Sequence, residues 1–187
     1  MTYVVLLLLA LSAGSCHHPA VRLEPAVLFN ENSVDSISVG DKREQVLKSL
    51  SKEKWKEENW LSEETRELLG TRIEVYKDDE LLFFAEIYEG AVYRLIVVSP
   101  SVRTREGLGV GSTLGQIKKE LGSPELLSGE DGLFAVYTLK DGTLSFLLDN
   151  AEASERIPSP RPLDQYVTDE TKVTYVLVLG KTNTVVP

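Results

Sequence analysis

Carboxylates are the side chains of this sequence that could most readily carry chemistry. The chain of 187 residues has 29 Asp and Glu, two histidines and one cysteine. His17, His18 and Cys16 all lie near the N-terminus, so the rest of the chain lacks the groups of Ser-His-Asp or Cys-His catalysis and of common zinc sites. A carboxylate pair could still hydrolyse a glycosidic bond, because sequence spacing does not reveal separation in space.

The carboxylates considered for such a pair are Glu57, Glu58, Glu63, Glu64, Asp78, Asp79, Glu86, Glu89, Asp164, Asp169 and Glu170. Acidic residues at turns and helix starts are normally solvated or capping. We therefore predict a protein without catalytic residues, metal site or cofactor, and keep a carboxylate-dependent hydrolase as an alternative.

A glycine-rich stretch, GLGVGSTLGQIKKELG at residues 107–122, is the second candidate for chemistry. A phosphate-binding P-loop ends in Gly-Lys-Ser/Thr, whereas here Gly111 is followed directly by Ser112. The dinucleotide-binding pattern needs a third glycine where Leu114 or Ser112 stands. We interpret the stretch as a turn into a helix, with an anion site at that helix N-terminus as the lesser alternative.

The same stretch is the second copy of a repeat. ISVGDKREQVLKSLS (37–51) aligns without gaps with LGVGSTLGQIKKELG (108–122) at an offset of 71, with five identities. Such self-similarity indicates an internal duplication. In each copy a glycine supplies a bend, and we expect Asp41 and Ser112 to cap the helix that follows.

Segments rich in β-branched and aromatic residues follow each repeated helix and predict strands. They are TRIEVYK, ELLFFAEIY and VYRLIVVS in the first copy, and LFAVYTL, TLSFLLD and KVTYVLVLG in the second. We therefore predict an α+β fold of two tandem modules, residues 35–104 and 105–187. Each module is a helix plus a three-stranded antiparallel meander, with the two sheets side by side. A further short helix is predicted in KEKWKEENWLSEETRELLG, capped by Ser62 and ending at Gly70.

The N-terminus, MTYVVLLLLALSAGSC, indicates a secretory signal peptide over residues 1–15. Its apolar run, Val4 to Leu11, would rise about 12 Å as a helix, too short for a bilayer core of about 30 Å. The residues before Cys16 resemble the lipobox of bacterial lipoproteins, which implies that Cys16 is lipidated and anchors the protein to a membrane. The alternative is cleavage nearby, with Cys16 a small hydrophobic residue.

Residues 16–34 contain two prolines and no sustained periodicity, which predicts a tether. The lipobox resemblance, with His17 after the cysteine, implies the outer membrane in a Gram-negative cell. Adjacent histidines in a tether do not indicate a designed metal site. The net charge of −9 argues against a nucleic-acid partner, which needs positive charge.

The two V-G-x-x-x-x-Q-hydrophobic-x-K-x-L helix openings, each followed by a meander, resemble the beta-lactamase inhibitor protein family. They also resemble the small outer-membrane lipoproteins of the barrel-assembly machinery. The resemblance covers roughly residues 35–180 and implies two modules whose sheets form a concave face that grips another protein. The disulfides of the inhibitor family have no counterpart, because Cys16 is the only cysteine.

We therefore predict a lipid-anchored, non-enzymatic envelope protein that binds an unidentified protein through its sheet face. A small-ligand or glycan-binding module is the alternative in another class. Aromatic residues are typical contact anchors. The candidates for protein contact are Trp55, Trp60, Tyr76, Tyr88, Tyr93, Tyr137 and Tyr175, together with the polar segment 150–171.

Overall fold

The computed structural model describes residues 27–51, 53–61, 67–129, 132–149 and 163–181. The predicted signal peptide, Cys16 and both histidines lie outside the described residues. So do Ser62 and most of the polar segment 150–171.

Twelve strands and two α-helices form within these ranges. The helices are α1 (Arg43–Ser49) and α2 (Leu114–Leu121), and Leu163–Tyr166 forms a 3-10 turn. The strands are β1 (Val27–Leu28), β2 (Ser33–Val34), β3 (Ile37–Ser38), β4 (Lys54–Leu61), β5 (Leu68–Lys77), β6 (Glu80–Tyr88), β7 (Ala91–Val97), β8 (Val102–Arg103), β9 (Glu125–Gly129), β10 (Gly132–Thr138), β11 (Gly142–Leu148) and β12 (Val173–Gly180).

Eight of these strands form one antiparallel sheet in the order β4-β5-β6-β7-β12-β11-β10-β9. Each half is a four-stranded meander, β4–β7 or β9–β12, and the halves join where β7 pairs with β12. β-structure accounts for 54% of the described residues, and the two helices have only seven and eight residues. The predicted α+β fold of two modules, each a helix with a three-stranded meander, is therefore wrong: the protein is mostly β, with one eight-stranded sheet.

Strand β4 is the main local cause of that error. No strand was predicted here, and a helix was expected after Ser62, but residues 54–61 pair antiparallel with β5 from Lys54↔Tyr76 to Leu61↔Leu68. Gly70, the predicted helix end, lies inside β5. Because β4 is at the edge of the sheet, most of its side chains face water and it lacks the apolar alternation of a half-buried strand. The short edge strand β9 was missed as well.

Both helices pack on the same face of the sheet, which we call the helix face. Val46 of α1 and Ile117 of α2 are buried in one cluster that also contains Phe83 of β6 and Phe146 of β11. The two halves therefore share a core across the boundary that was predicted between residues 104 and 105.

The N-terminal part of the described chain belongs to this core. Phe29 and Val34 are buried in it, and β1 pairs in parallel with β8. Residues 27–34 are thus part of the fold, although they were predicted to belong to a tether. A short segment with two strands of two residues each carries too little periodicity to predict.

Both helices begin in the same hydrogen-bonded frame. The N–H of Gly40 donates to the Val92 carbonyl at 2.8 Å, and that of Gly111 donates to the Val173 carbonyl at 2.7 Å. In return, Val92 N–H donates to the Asp41 carbonyl and Val173 N–H to the Ser112 carbonyl. Each helix start is thereby fixed to the last long strand of its own half. The helix-start residues that form these bonds are 71 residues apart in the two halves.

The repeated glutamine closes each helix start. Gln45 Oε1 accepts from Lys42 N–H at 2.7 Å, and Gln116 Oε1 accepts from Thr113 N–H at 2.9 Å. Lys42 and Thr113 are therefore the N-cap residues, one position after the predicted Asp41 and Ser112.

The residues predicted as caps instead close the preceding turn. Asp41 Oδ2 accepts from Ser38 N–H at 2.8 Å, and Ser112 Oγ accepts from Gly109 N–H at 3.1 Å. These two bonds are again 71 residues apart.

Candidate functional site

The sheet face opposite the helices, which we call the outer face, carries a row of cross-strand partners that crosses all eight strands. This central row consists of Lys56, Glu74, Phe84, Ile96, Leu177, Ser145, Val136 and Glu125. Its ends are charged and its middle is largely apolar. The pair Ile96–Leu177 lies at its midpoint, where the two halves of the sheet meet.

A second row on the outer face is charged. Its members are the cross-strand partners Glu58, Arg72, Glu86 and Arg94, whose charges alternate in sign across β4 to β7. The Glu86 carboxylate is completely buried. Arg72 Nε donates to Glu86 Oε1 at 3.0 Å, and Arg94 Nε donates to Oε2. Both carboxylate oxygens therefore have a guanidinium donor, which a buried charge requires.

A third row, which is apolar, occupies the equivalent positions in the other half. Its members are Leu127, Phe134, Leu147 and Tyr175. Every member of the charged and apolar rows lies two residues along its strand from the central row. Arg94 precedes Ile96 by two, for example, and Tyr175 precedes Leu177 by two. The same positions of the repeated architecture thus carry alternating charges in one half and hydrocarbon in the other.

Aromatic rings surround Arg94. Trp60 and Tyr93 stack with ring centroids 6.2 Å apart, and Tyr88 meets Tyr93 edge-on at 6.5 Å. The Arg94 guanidinium carbon is 5.6 Å from the Trp60 ring centre and 5.9 Å from that of Tyr93, within cation–π range. Tyr93 is the extra residue of a β-bulge, because Glu86 pairs with Arg94 while Ile87 pairs with Val92. The bulge places Tyr93 beside the charged row.

Two other predicted contact residues lie elsewhere on the outer face. Tyr76 donates to the Glu74 carboxylate and has the Lys56 ammonium 5.2 Å from its ring centre. Tyr175 belongs to the apolar row and meets Phe134 edge-on at 6.1 Å. The structure thus brings Trp60, Tyr88 and Tyr93 together but separates them from Tyr76 and Tyr175.

The remaining two predicted contact residues lie on the helix face. Trp55 pairs with the buried Val75 at the edge of the sheet and is 37% exposed. Tyr137 is only 5% exposed, and its hydroxyl donates to the Gly122 carbonyl at 2.9 Å. Burial raises the pKa of Tyr137 to about 12. Tyr137 is therefore a core residue rather than a surface for a partner.

Arg72 and Arg94 were not predicted as site residues, and Glu86 was predicted only as a candidate catalytic carboxylate. One signal was present in the sequence. Glu86 interrupts the apolar run LLFFAEIY, and a charge inside such a strand needs a partner on a neighbouring strand. Which residues provide that partner depends on strand register.

Several of the candidate catalytic carboxylates are ion-paired. Glu57 accepts two hydrogen bonds from Arg43, at 2.8 and 2.7 Å, which hold its pKa below the ordinary value. A hydrogen bond from Lys54 likewise lowers the pKa of Asp79. A general acid needs a raised pKa, so both shifts have the wrong direction for that role. Glu63 and Glu64 lie outside the described residues.

The glycine-rich stretch has no free donors for a phosphate at the start of α2. Leu114 N–H donates to the Thr171 carbonyl and Gly115 N–H to the Asp169 carbonyl, both at 2.8 Å. Gln116 N–H donates to Thr113 Oγ1 at 3.2 Å. Because these N–H groups are already satisfied within the chain, the geometry favours the turn-into-helix interpretation over an anion site.

One cavity of about 590 Å³ lies away from the outer face, between the N-terminal strands and the end of α2. Phe29, Leu121 and Leu144 contribute apolar surface to it, and Arg105 and Glu106 contribute charge. Its volume is in the range of small-molecule sites.

The structure of the described ranges also bears on membrane spanning and on metal binding. No helix there is both long and apolar enough to cross a membrane. No group of three or more His, Cys, Asp or Glu side chains there is placed to hold a metal ion.

The chain matches no family model and no curated protein. A solved structure, that of the uncharacterized protein YfeY from Escherichia coli, is similar to it. The similarity covers 80% of this chain and 97% of that chain, with a TM-score of 0.53 and 14% sequence identity. At this identity the similarity defines a shared fold and nothing about activity.

Proposed function

We propose that this protein is a non-enzymatic lipoprotein of the bacterial envelope that binds another protein through the outer face of its sheet. The lipobox-like N-terminus supports the anchor at Cys16. The cluster of Trp60, Tyr93 and Arg94 supports the binding function, and it is the observation on which that part of the proposal depends.

That cluster has the residue composition of an interface anchor, and its side chains are already held in place. Trp, Tyr and Arg are the residues that contribute most often to binding energy in protein interfaces. Here their rings and guanidinium group are already packed against one another, and Glu86 holds the arginine. A prearranged cluster loses little side-chain entropy when a partner binds.

Cross-linking from single positions tests the binding function. A photo-crosslinking amino acid replaces Tyr93 or Leu177 on the outer face, and Lys48 of α1 or Lys119 of α2 as exposed controls on the helices. We expect both outer-face positions to capture the same protein in intact cells and the helix positions to capture none. Equal capture from all four positions, or none from the outer face, contradicts the proposal.

Mass spectrometry of the mature N-terminus tests the anchor separately. We expect a chain that begins at Cys16 with attached acyl groups, and a Cys16→Ser variant that no longer fractionates with membranes. Globomycin, which blocks lipoprotein processing, should cause the precursor to accumulate. An unmodified Cys16 would remove the anchor from the proposal and leave the binding function untouched.

A small-ligand function is the second candidate, and the cavity beside Phe29 and Leu121 is the observation that favours it. Its mixed apolar and charged lining would suit a small amphipathic molecule. A thermal-shift screen against envelope glycans and metabolites distinguishes the two functions. A reproducible ligand-induced shift that a Leu121→Trp variant abolishes would favour the cavity over the outer face.

A further inference from the structure

We infer that the charged row receives an acidic side chain, Asp or Glu, from the partner protein, and that Arg94 binds its carboxylate. This inference rests on the proposed function and names the chemistry of the partner.

Fold stability does not account for the charged row. The apolar row shows that the same positions can be filled by Leu, Phe, Leu and Tyr in an equivalent half of the same sheet. Replacing buried ion networks by apolar residues of similar size is often neutral or stabilising. The apolar row shows that packing at these positions does not require charge. We therefore expect Arg72, Glu86 and Arg94 to have a role other than packing.

The geometry of Arg94 suits a carboxylate. Its Nε donates to Glu86, while its two terminal nitrogens donate no hydrogen bond within the part of the chain that the structure describes. The Arg94 side chain is 29% exposed, so a partner can reach it. Two parallel N–H donors on a planar group match the two oxygens of a carboxylate, a geometry that lysine cannot reproduce.

The local charge favours the same ligand. Glu58 and Glu86 balance Arg72 and Arg94 over the whole row, but Glu58 and Arg94 lie at its opposite ends. The Arg94 end therefore presents a guanidinium on a chain of net charge −9. An acidic side chain is attracted here and repelled by most of the remaining surface, which helps to define where the partner docks. The rings of Trp60 and Tyr93 beside Arg94 limit access of water, and this strengthens a charged hydrogen bond.

Panning a displayed library of random peptides on the full mature chain tests the inference without knowledge of the native partner. We expect the enriched peptides to contain Asp or Glu, and affinity to fall about tenfold when that residue becomes Asn or Gln. Affinity should also fall as salt is added. The Arg94→Gln and Arg94→Lys variants should both lose the peptides, because neither keeps the forked donor. Lys119→Gln, at an exposed lysine of α2 away from the row, should bind as the parent does.

A second variant distinguishes loss of peptide binding from loss of folding. It carries Glu58→Leu, Arg72→Phe, Glu86→Leu and Arg94→Tyr, and so copies the apolar row into the charged positions. We expect it to unfold cooperatively like the parent and to bind no acidic peptide. The inference is overturned if this variant or Arg94→Gln binds like the parent, if enriched peptides lack acidic residues, or if none is enriched. Outer-face cross-links obtained alongside such a result would leave the proposed function standing.

Discussion

Glu86 and Leu147 occupy equivalent positions in the two halves of the sheet, each two residues beyond its member of the central row. Both side chains are buried: Glu86 is completely buried and Leu147 is 8% exposed. In one half a carboxylate is neutralised by Arg72 and Arg94, and in the other a hydrocarbon side chain fills the same place. The charged row and the apolar row of the outer face therefore lie on diagonally opposite sides of the Ile96–Leu177 pair.

The Glu86→Gln variant should be much less stable than the parent, because it leaves two partly buried arginines without a counter-charge. We expect a loss of about 3 kcal/mol in the free energy of unfolding. The four-residue variant that copies the apolar row should be at least as stable as the parent. Urea denaturation measures both. Equal stability of Glu86→Gln and the parent would show that the ion triad is not coupled to folding.

The helix caps provide a prediction about the repeat. Gln116→Ala should lower the free energy of unfolding by about 1 kcal/mol, since Thr113 N–H loses its acceptor. Gln116→Glu keeps that acceptor and is the matched control. Gln45→Ala should have a similar effect because Gln45 bonds to Lys42 N–H in the same way. Thermal unfolding would contradict the equivalence of the two helix starts if only one alanine variant were destabilised.

Gly70 should not accept a larger residue. A Cβ atom at Gly70 would lie 2.0 Å from the Ile87 carbonyl oxygen, so β5 and β6 would have to separate. We expect Gly70→Ala to destabilise the protein by about 2 kcal/mol or more. The control is Leu68→Ala, two residues earlier on the same strand. The Leu68 side chain is 64% exposed, so this substitution should change stability little. Similar stabilities of the two variants would contradict the close approach of these strands.

Tyr137 should ionise late in an alkaline titration. Its pKa is raised from 10.0 to about 12 because burial disfavours the phenolate. The resulting stabilisation is fully present below pH 10 and is lost as the pH rises from 10 towards about 12. Ultraviolet titration of the parent should show delayed ionisation that Tyr137→Phe partly removes. Tyr76, whose pKa is raised by its hydrogen bond to Glu74, should account for part of the remaining delay.

The Arg43–Glu57 pair predicts a stability difference that depends on acid pH. The folded-state pKa of Glu57 is lowered below 4.5, chiefly by its hydrogen bond from Arg43. The stabilisation is therefore present above pH 4.5 and is lost as the pH falls through the lower folded-state pKa. Urea unfolding should show the parent more stable than Glu57→Gln at neutral pH, with the two converging in acid. A constant difference at every pH would contradict this assignment.

Sequence patterns predicted the parts of the fold that depend on residues close together in the chain. The repeated Val-Gly and Gln positions predicted two helix starts, and α1 and α2 begin within a few residues of them. The cap itself was misplaced by one residue. Asp41 and Ser112 were chosen by residue type, whereas the bonds that they form close the turn before the helix.

The strands with buried side chains were also predictable. ELLFFAEIY and KVTYVLVLG contain β6 and β12 because β-branched and aromatic residues suit a sheet packed against a core. The edge strands β4 and β9 were not predicted, since exposed edges carry the charged and small residues that are also found in helices and loops.

The sequence alone therefore determined a chain with a lipobox-like start, a repeated helix opening and a set of core strands, because each depends on residues close together in the chain. Only the tertiary structure decided that β7 pairs with β12 to join both halves into one sheet. It also decided that Arg72 and Arg94 meet at Glu86, with the Arg94 guanidinium over the Trp60 ring. These relationships depend on the register between strands, and a shift of one residue would move each side chain to the opposite face.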